Sequence, residues 1–224
     1  MLILDDLLID GYKIYQDDTL YRFTSDAVIL SHFASHKKGD IVADFCSGSG
    51  IVGINFYAIN KEAKQVDLIE IQPELSMLSQ KSVEYNRLES IFNVINQPIQ
   101  NLGNEYDGKY SLILCNPPYK KAGSGEPNSD IKIAMCRHEI TITQEEIVKI
   151  SARKLKHGGR LCMCGRIERF TDLITEMVKY GLEPKRIQFV TTKQGGEPYL
   201  FLIESVKGIK PQLKILGEFV NKGV

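Results

Sequence analysis

The pattern that most constrains the fold is an alternation of short apolar runs with longer helical patterns, which starts at Asp40. The short runs that predict strands begin at Ile41, Val66, Phe92, Tyr110 and Arg160. The patterns that predict helices cover residues 51–60, 73–85, 143–156 and 168–180. The third helix is expected to stop at the glycine pair Gly158 and Gly159. Alternation of this kind predicts an α/β fold with a mainly parallel sheet and helices on both faces.

The last two apolar runs, 186–190 and 199–203, follow each other without a helix. They predict a hairpin, which makes the last of seven strands antiparallel. We expect this sheet and its helices to occupy residues 39–224. Residues 1–38 are predicted to form a small N-terminal extension, with short strands between residues 2 and 15 and a helix from Ser25 to about His36.

Composition excludes several classes of protein. The chain has 224 residues, of which 43% are hydrophobic and 25% charged, so a packed domain is expected rather than a disordered chain. No run approaches the roughly 20 apolar residues that cross a bilayer, and no membrane partner is expected. The first six residues end in Asp5-Asp6, acidic where a signal peptide is basic. A cytoplasmic location is therefore expected.

The five cysteines predict structural thiols rather than a metal site. None forms a Cys-x-x-Cys pair, and no histidine lies at zinc-ligand spacing from a pair, so no metal is expected. Cys162 and Cys164 alternate within a predicted strand, and both are expected to face the same side as small buried hydrophobic residues. Five reduced thiols suit the cytosol.

Charge is distributed unevenly along the chain. The net charge is zero, but residues 1–119 contain 9 Lys and Arg against 16 Asp and Glu, and residues 120–224 contain 19 against 12. Asymmetry between halves indicates a basic surface for a polyanion, although basic residues that only solvate helix faces give the same count.

A glycine-rich turn follows the first predicted strand of the alternation. Asp44-Phe-Cys-Ser-Gly-Ser-Gly50 lies between a strand and a helix, where glycines let the backbone approach a ligand closely. Glu70 ends the next strand, a position from which a carboxylate can accept hydrogen bonds from a ribose. The turn lacks both the triphosphate-binding lysine motif and the third glycine of the dinucleotide fingerprint. An adenosyl cofactor is the favoured ligand.

Asn116-Pro-Pro-Tyr119 directly follows the strand that begins at Tyr110 and is therefore expected at the same edge of the sheet. An amine conjugated to an aromatic ring is a poor nucleophile. The Asn116 oxygen and the Pro117 carbonyl can accept its N–H protons and direct its lone pair toward a methyl group. Pro118 helps to fix the backbone, and the Tyr119 ring offers a face on which a flipped-out base can stack. A plain Asn-Pro turn is the alternative interpretation.

With these motifs the chain resembles the amino-group branch of class I methyltransferases, which implies a Rossmann-like fold and S-adenosylmethionine as cofactor. Flanking segments are similar to the bacterial tRNA1(Val) adenine-N6 methyltransferase family, whose target is the adenine just 3′ of the anticodon. Those segments are 21–27, 134–140, 182–190 and 197–204. The resemblance covers nearly the whole chain. It implies methylation of the exocyclic N6 amine of an adenine in tRNA, by a chain expected to be a monomer.

The resemblance also assigns residues. The cofactor contacts it implies are Asp44, Ser47, Gly48, Gly50, Glu70 and Ile71, with Thr24, Ser25 and Asp26 closing over the methionine end. The base would be held by Asn116, Pro117, Pro118 and Tyr119. Expected RNA contacts, which include basic residues of the second half, are Lys120, Lys121, Arg137, His138, Arg166 and Arg169. His138 is not expected to act as a general base, because the proton can leave to water.

One departure from the family pattern lies after the third strand of the alternation. Family members usually carry an acidic residue there, near the cofactor adenine, but this chain reads Ile95-Asn-Gln-Pro98. The Gln97 side chain can offer a carbonyl oxygen to the adenine amine instead. We expect the cofactor to bind, but more weakly.

Three other functions fit part of the sequence. A protein glutamine methyltransferase also acts on a planar amine, but this chain shows no large N-terminal recognition domain. DNA adenine methyltransferases commonly carry an added recognition region, for which 224 residues leave little room. A catalytically silent RNA- or cofactor-binding module would not require Asn116 and Tyr119, and both are present.

Overall fold

The computed structural model describes residues 1–20, 22–117 and 142–222. Its strands are β1 Leu2–Asp6, β2 Lys13–Asp17, β3 Ile41–Phe45, β4 Gln65–Glu70, β5 Phe92–Asn96, β6 Tyr110–Cys115, β7 Leu155–Arg166, β8 Leu182–Thr191, β9 Leu200–Lys207, β10 Lys214–Ile215 and β11 Phe219–Val220. Its α-helices are α1 Ser25–Phe33, α2 Ile51–Asn60, α3 Pro73–Tyr85, α4 Gln144–Lys154 and α5 Phe170–Lys179. Short 3-10 helices lie at Ile99–Asn101, Asn104–Tyr106 and Ile167–Arg169.

One large sheet organises the chain. Its strand order is β10-β8-β9-β7-β6-β3-β4-β5, with β11 also beside β8. Strands β7, β6, β3, β4 and β5 pair in parallel, whereas β9 is antiparallel to both β7 and β8. The predicted hairpin and antiparallel last strand of the seven are confirmed. Two strands of two residues each, β10 and β11, extend the sheet beyond the predicted seven.

Helices cover both faces of this sheet, as predicted. One apolar layer joins α1, α2 and the end of α3 to the sheet, and Cys162 and Cys164 both belong to it. The other layer joins α4 and α5 to the opposite face. All six residues of β6 are buried, which explains why this central strand reads as a continuous apolar run. The prediction that the two thiols share a side is confirmed.

The N-terminal hairpin is antiparallel and packs on α3. Its backbone is anchored there by side chains, since the Tyr15 N–H donates to Ser82 Oγ (2.9 Å) and the Lys13 N–H to Asn86 Oδ1 (3.0 Å). The division of the chain after residue 38 stays a prediction.

Two predicted helix ends are wrong. Helix α4 stops at Lys154 because the fully buried Leu155 already pairs with Tyr110 in the sheet. Gly158, with φ +72°, and Gly159 instead lie within β7, where the register shifts against β6. Helix α1 ends at Phe33, three residues early, because the Ser35 N–H and hydroxyl both donate to Glu204.

Across the residues that the structure describes, no helix is both long and apolar enough to span a membrane. In the same ranges, no three or more His, Cys, Asp or Glu side chains are grouped so that they could hold a metal ion.

Candidate active site

A cleft of about 900 Å³, its open mouth included, lies at the carboxyl ends of β3, β4 and β6. Strand β3 stands between the other two, and the chain order reverses on either side of it. Ligands bind at this switch point in open α/β sheets. The residues that line the cleft are Phe23, Cys46, Ser47, Gly48, Ser49, Ile51, Val52, Ile69, Glu70, Ile71, Gln72, Gln97, Pro98, Ile99, Gln100, Asn116, Pro117 and Ile142.

The glycine turn after β3 forms one wall. Gly48 and Gly50 have φ values of +58° and +88°, which favour glycine. A Cβ on Gly48 would meet no protein atom within 4 Å, so this backbone is open to a ligand. A Cβ on Gly50 would lie 3.0 Å from Leu68 Cδ1, so Gly50 allows α2 to start tightly against β4. The two glycines therefore serve different purposes.

Glu70 fastens the ends of β3 and β4 to each other. Its Oε2 accepts the Gly48 N–H (2.8 Å), and its Oε1 accepts the Gln72 N–H (2.9 Å). The residue is only 5% exposed, and burial raises the pKa of its carboxyl while these backbone donors lower it. Each carboxylate oxygen can accept a further hydrogen bond from the cleft. Its predicted contact with a ribose stays a prediction.

Asp44 lies behind the turn and does not line the cleft. Its side chain is 0% exposed, and its Oδ2 accepts the Gly53 N–H in the first turn of α2 (2.8 Å). Burial raises the pKa of this carboxyl to about 8. Gly53 permits the contact, because a Cβ there would lie 2.5 Å from Leu68 Cδ2. The geometry gives Asp44 a place in shaping the turn, and its predicted contact with the cofactor stays a prediction.

The segment before α1 contributes Phe23 to the cleft, which the sequence analysis missed. The predicted residues Thr24, Ser25 and Asp26 lie beside it but do not line the cleft. Ser25 Oγ accepts a hydrogen bond from Asn221 Nδ2 (2.9 Å), and the buried Asp26 carboxylate lies 3.6 Å from Arg166 Nη2. Phe23 could have been selected from the sequence because it is an aromatic residue directly before the predicted cofactor residue Thr24.

The wall after β5 holds Gln97 and Gln100, with Ile71 on the neighbouring turn. Asn96 supports this wall from outside, because its Nδ2 donates to the carbonyls of Glu70 (2.8 Å) and Ile71 (3.2 Å). The structure therefore places Gln97 where the adenine contact is predicted. Its role stays a prediction, and Gln100 and Gln72 are lining residues that the sequence analysis did not select.

Asn116 and Pro117 directly follow β6, the neighbour of β3, and line the same cleft as the glycine turn. The Cys164 thiol of β7 donates to Asn116 Oδ1 across a Sγ–Oδ1 distance of 3.1 Å. Six other predicted site residues lie outside the described residues: Pro118, Tyr119, Lys120, Lys121, Arg137 and His138.

The two described arginines with predicted RNA contacts differ in environment. Arg166 ends β7, with its side chain 41% exposed and its guanidinium carbon 5.6 Å from the centroid of the Tyr199 ring. Arg169 is 11% exposed and forms an ion pair with Asp172 (3.4 Å). Arg166 is therefore accessible, Arg169 is less so, and the RNA contact of each stays a prediction.

Residues 24–179 match the family model described as "Methyltransferase small domain". The chain belongs to this family. The predicted methyltransferase class and its use of S-adenosylmethionine are therefore confirmed. The sheet order and the solved structures below confirm the predicted Rossmann-like fold class.

Curated relatives share low identity over most of their length. The chain is similar to the tRNA1(Val) (adenine(37)-N6)-methyltransferase of Tolumonas auensis, with 23% identity over 86% of this chain and 79% of that protein. It is also similar to the enzyme of the same name from Bacteroides thetaiotaomicron, with 24% identity and the same coverage.

Solved structures share the fold. A predicted O-methyltransferase from Agrobacterium tumefaciens superposes with a TM-score of 0.69 at 17% identity, covering 88% of each chain. The M. jannaschii tRNA m1G37 methyltransferase superposes with a TM-score of 0.64 at 19% identity, covering 93% of this chain and 55% of that one.

The cleft of this methyltransferase fits its nucleoside cofactor. Ser47 Oγ is buried with no hydrogen-bond partner among the described residues, so it is available to a ligand. Gly48 leaves open space beside it, and the Glu70 carboxylate stands at the end of the next strand. The cleft therefore offers a hydroxyl, an unobstructed backbone and an acid, which suit the polar groups of an adenosyl amino acid.

Proposed function

We propose that this methyltransferase transfers the methyl group of S-adenosylmethionine to the N6 amine of an adenine in tRNA, the adenine immediately 3′ of the anticodon. The observation that carries the proposal is the position of Asn116 and Pro117. They line the same cleft as Gly48 and Glu70, so amine acceptors and the cofactor wall face one space.

The chain's own residues would hold the cofactor in that space. Glu70 would accept the ribose hydroxyls, since its oxygens retain acceptor capacity beyond their two backbone donors. Ser47 and Gly48 would contact the amino-acid portion, and Gln97 would accept from the adenine amine. The cofactor supplies a methyl group made electrophilic by its sulfonium sulfur.

Asn116 and Pro117 would prepare the attacking amine. Their carbonyl oxygens accept its two N–H protons, which places the nitrogen lone pair toward the methyl group. The acceptors need little reorganisation because proline restricts the backbone. The N–C bond forms as the C–S bond breaks, and the amine proton leaves to water. Loss of the proton from the methylated amine therefore needs no general base from the chain.

A tRNA substrate is supported by the two relatives named above, which are aligned with 86% of this chain. It is also supported by charge, because residues 120–224 contain 19 Lys and Arg against 12 Asp and Glu. The half-exposed Arg166 ends β7, the neighbour of β6, and we expect it to contact a phosphate next to the flipped base. With this substrate we expect a monomer that acts in the cytoplasm.

Nucleoside mass spectrometry of unmodified tRNA, after incubation with protein and S-adenosylmethionine, tests the proposal. We expect new N6-methyladenosine with the unaltered chain and none with Asn116→Ala. The control is cofactor binding by calorimetry, which Asn116→Ala should retain because Glu70 and the glycine turn are unchanged. Intact cofactor binding without any methylated tRNA would overturn the tRNA assignment.

A further inference from the structure

Cys164 is a buried thiol that the proposed mechanism does not use. In the pairing of β6 with β7, Cys115 lies opposite Met163, so Asn116, which directly follows β6, comes beside Cys164. The Sγ–Oδ1 distance of 3.1 Å is that of a hydrogen bond. The thiol is the donor in this bond, because a carbonyl oxygen has no proton to donate. The sheet register therefore fixes the contact.

This contact matters because the two ends of a carboxamide have similar shapes and opposite hydrogen-bonding character. If the Asn116 amide presented its NH2 group to the target amine, two hydrogen-bond donors would face each other and no bond could form. The S–H group binds the oxygen end of Asn116, and a carboxamide oxygen has two lone pairs, so it can accept from a thiol and from an amine together.

We infer that Cys164 is a positioning residue for methyl transfer, because its thiol selects the Asn116 rotamer that presents Oδ1 to the target amine. The inference rests on the proposed function of Asn116. It requires a hydrogen-bond donor at position 164, not merely a side chain of the right volume.

Cys162 provides a matched control for packing. It lies two residues earlier on β7, is 0% exposed like Cys164, and belongs to the same apolar layer. Replacing either cysteine with alanine removes the same atoms from that layer. A purely structural role predicts similar effects from the two changes, whereas positioning of Asn116 predicts an effect at 164 only.

Turnover on unmodified tRNA at saturating S-adenosylmethionine tests the inference. One net hydrogen bond corresponds to about fivefold in rate, so Cys164→Ala should lower kcat by about fivefold to about tenfold. Its affinity for the cofactor should stay unchanged. Cys162→Ala should keep the original kcat, and Cys164→Ser, which restores a donor, should recover most of it. Equal kcat values for Cys164→Ala and Cys162→Ala would overturn the inference.

A second measurement separates this inference from the proposed function. The side-chain amide signals of Asn116 can be assigned in a ¹⁵N NMR spectrum by their loss in Asn116→Ala. We expect Cys164→Ala to shift or broaden them and Cys162→Ala to leave them in place. If the unaltered chain methylates no tRNA, the proposed function fails, and an unmoved Asn116 amide in Cys164→Ala independently overturns the positioning role.

Discussion

The substitution Gly48→Ala separates the contribution of the glycine turn to cofactor binding from its contribution to stability. Gly48 has a φ of +58°, and an added methyl group would meet no protein atom within 4 Å. The backbone strain of a left-handed alanine costs about 1 to 2 kcal/mol of folding free energy. In the cleft the same methyl group would collide with the bound cofactor, and overpacking of this kind costs about 1 to 3 kcal/mol.

Gly108→Ala is the matched control. Gly108 has a φ of +66°, open space around its Cβ position and no place in the cleft, so it shares the strain without the collision. Both variants should lose similar stability in denaturant melts. Only Gly48→Ala should raise the Kd for S-adenosylmethionine in calorimetry, by about 5-fold to about 150-fold. Equal cofactor affinity in the two variants would refute the placement of the cofactor against Gly48.

Three further predictions concern the surroundings of the cleft. Because burial raises the pKa of Asp44 from 3.8 to about 8, its contribution to stability is largest below pH 3.8 and falls as pH rises through about 8. Melts of Asp44→Asn should therefore show a smaller fall in stability over this range. Parallel curves of stability against pH for the two proteins would contradict this. Asn221 donates to Ser25 Oγ and to Tyr199 Oη and so anchors the segment before α1. Asn221→Ala should increase amide hydrogen exchange at residues 22–27 and weaken cofactor binding severalfold. Unchanged exchange would exclude this anchoring role. Affinity for tRNA should fall steeply between about 50 and about 200 mM salt, and Arg166→Ala should reduce the slope of log K against log salt by about 1; a flat response would contradict a basic RNA-binding surface.

The parts of the fold and site that sequence could predict are those set by local pattern. The glycine turn, the acid at the end of β4 and the Asn-Pro pair after β6 each follow a buried strand, and parallel strands bring such positions to one edge. Glu70 and Asn116 were found in this way. Both line the cleft, although their chemical roles stay predictions.

The parts that sequence could not predict depend on contacts between distant segments. Asp44 faces the start of α2 because Gly53 lets the helix approach β3, which a motif does not reveal. Strands β10 and β11 are two residues long, too short for an apolar period, and exist through their pairing with β8. The low exposure of the Arg169 side chain, which pairs with Asp172 of α5, likewise cannot be read from its charge.

The most direct test of the proposed activity uses a tRNA anticodon stem-loop that carries the adenine 3′ of the anticodon and a second one with guanine in its place. We expect one N6-methyladenosine per adenine-containing stem-loop, located at that adenine, and no product with the guanine version or with Asn116→Ala. A methyl group on another base, or equal labelling of both stem-loops, would contradict it.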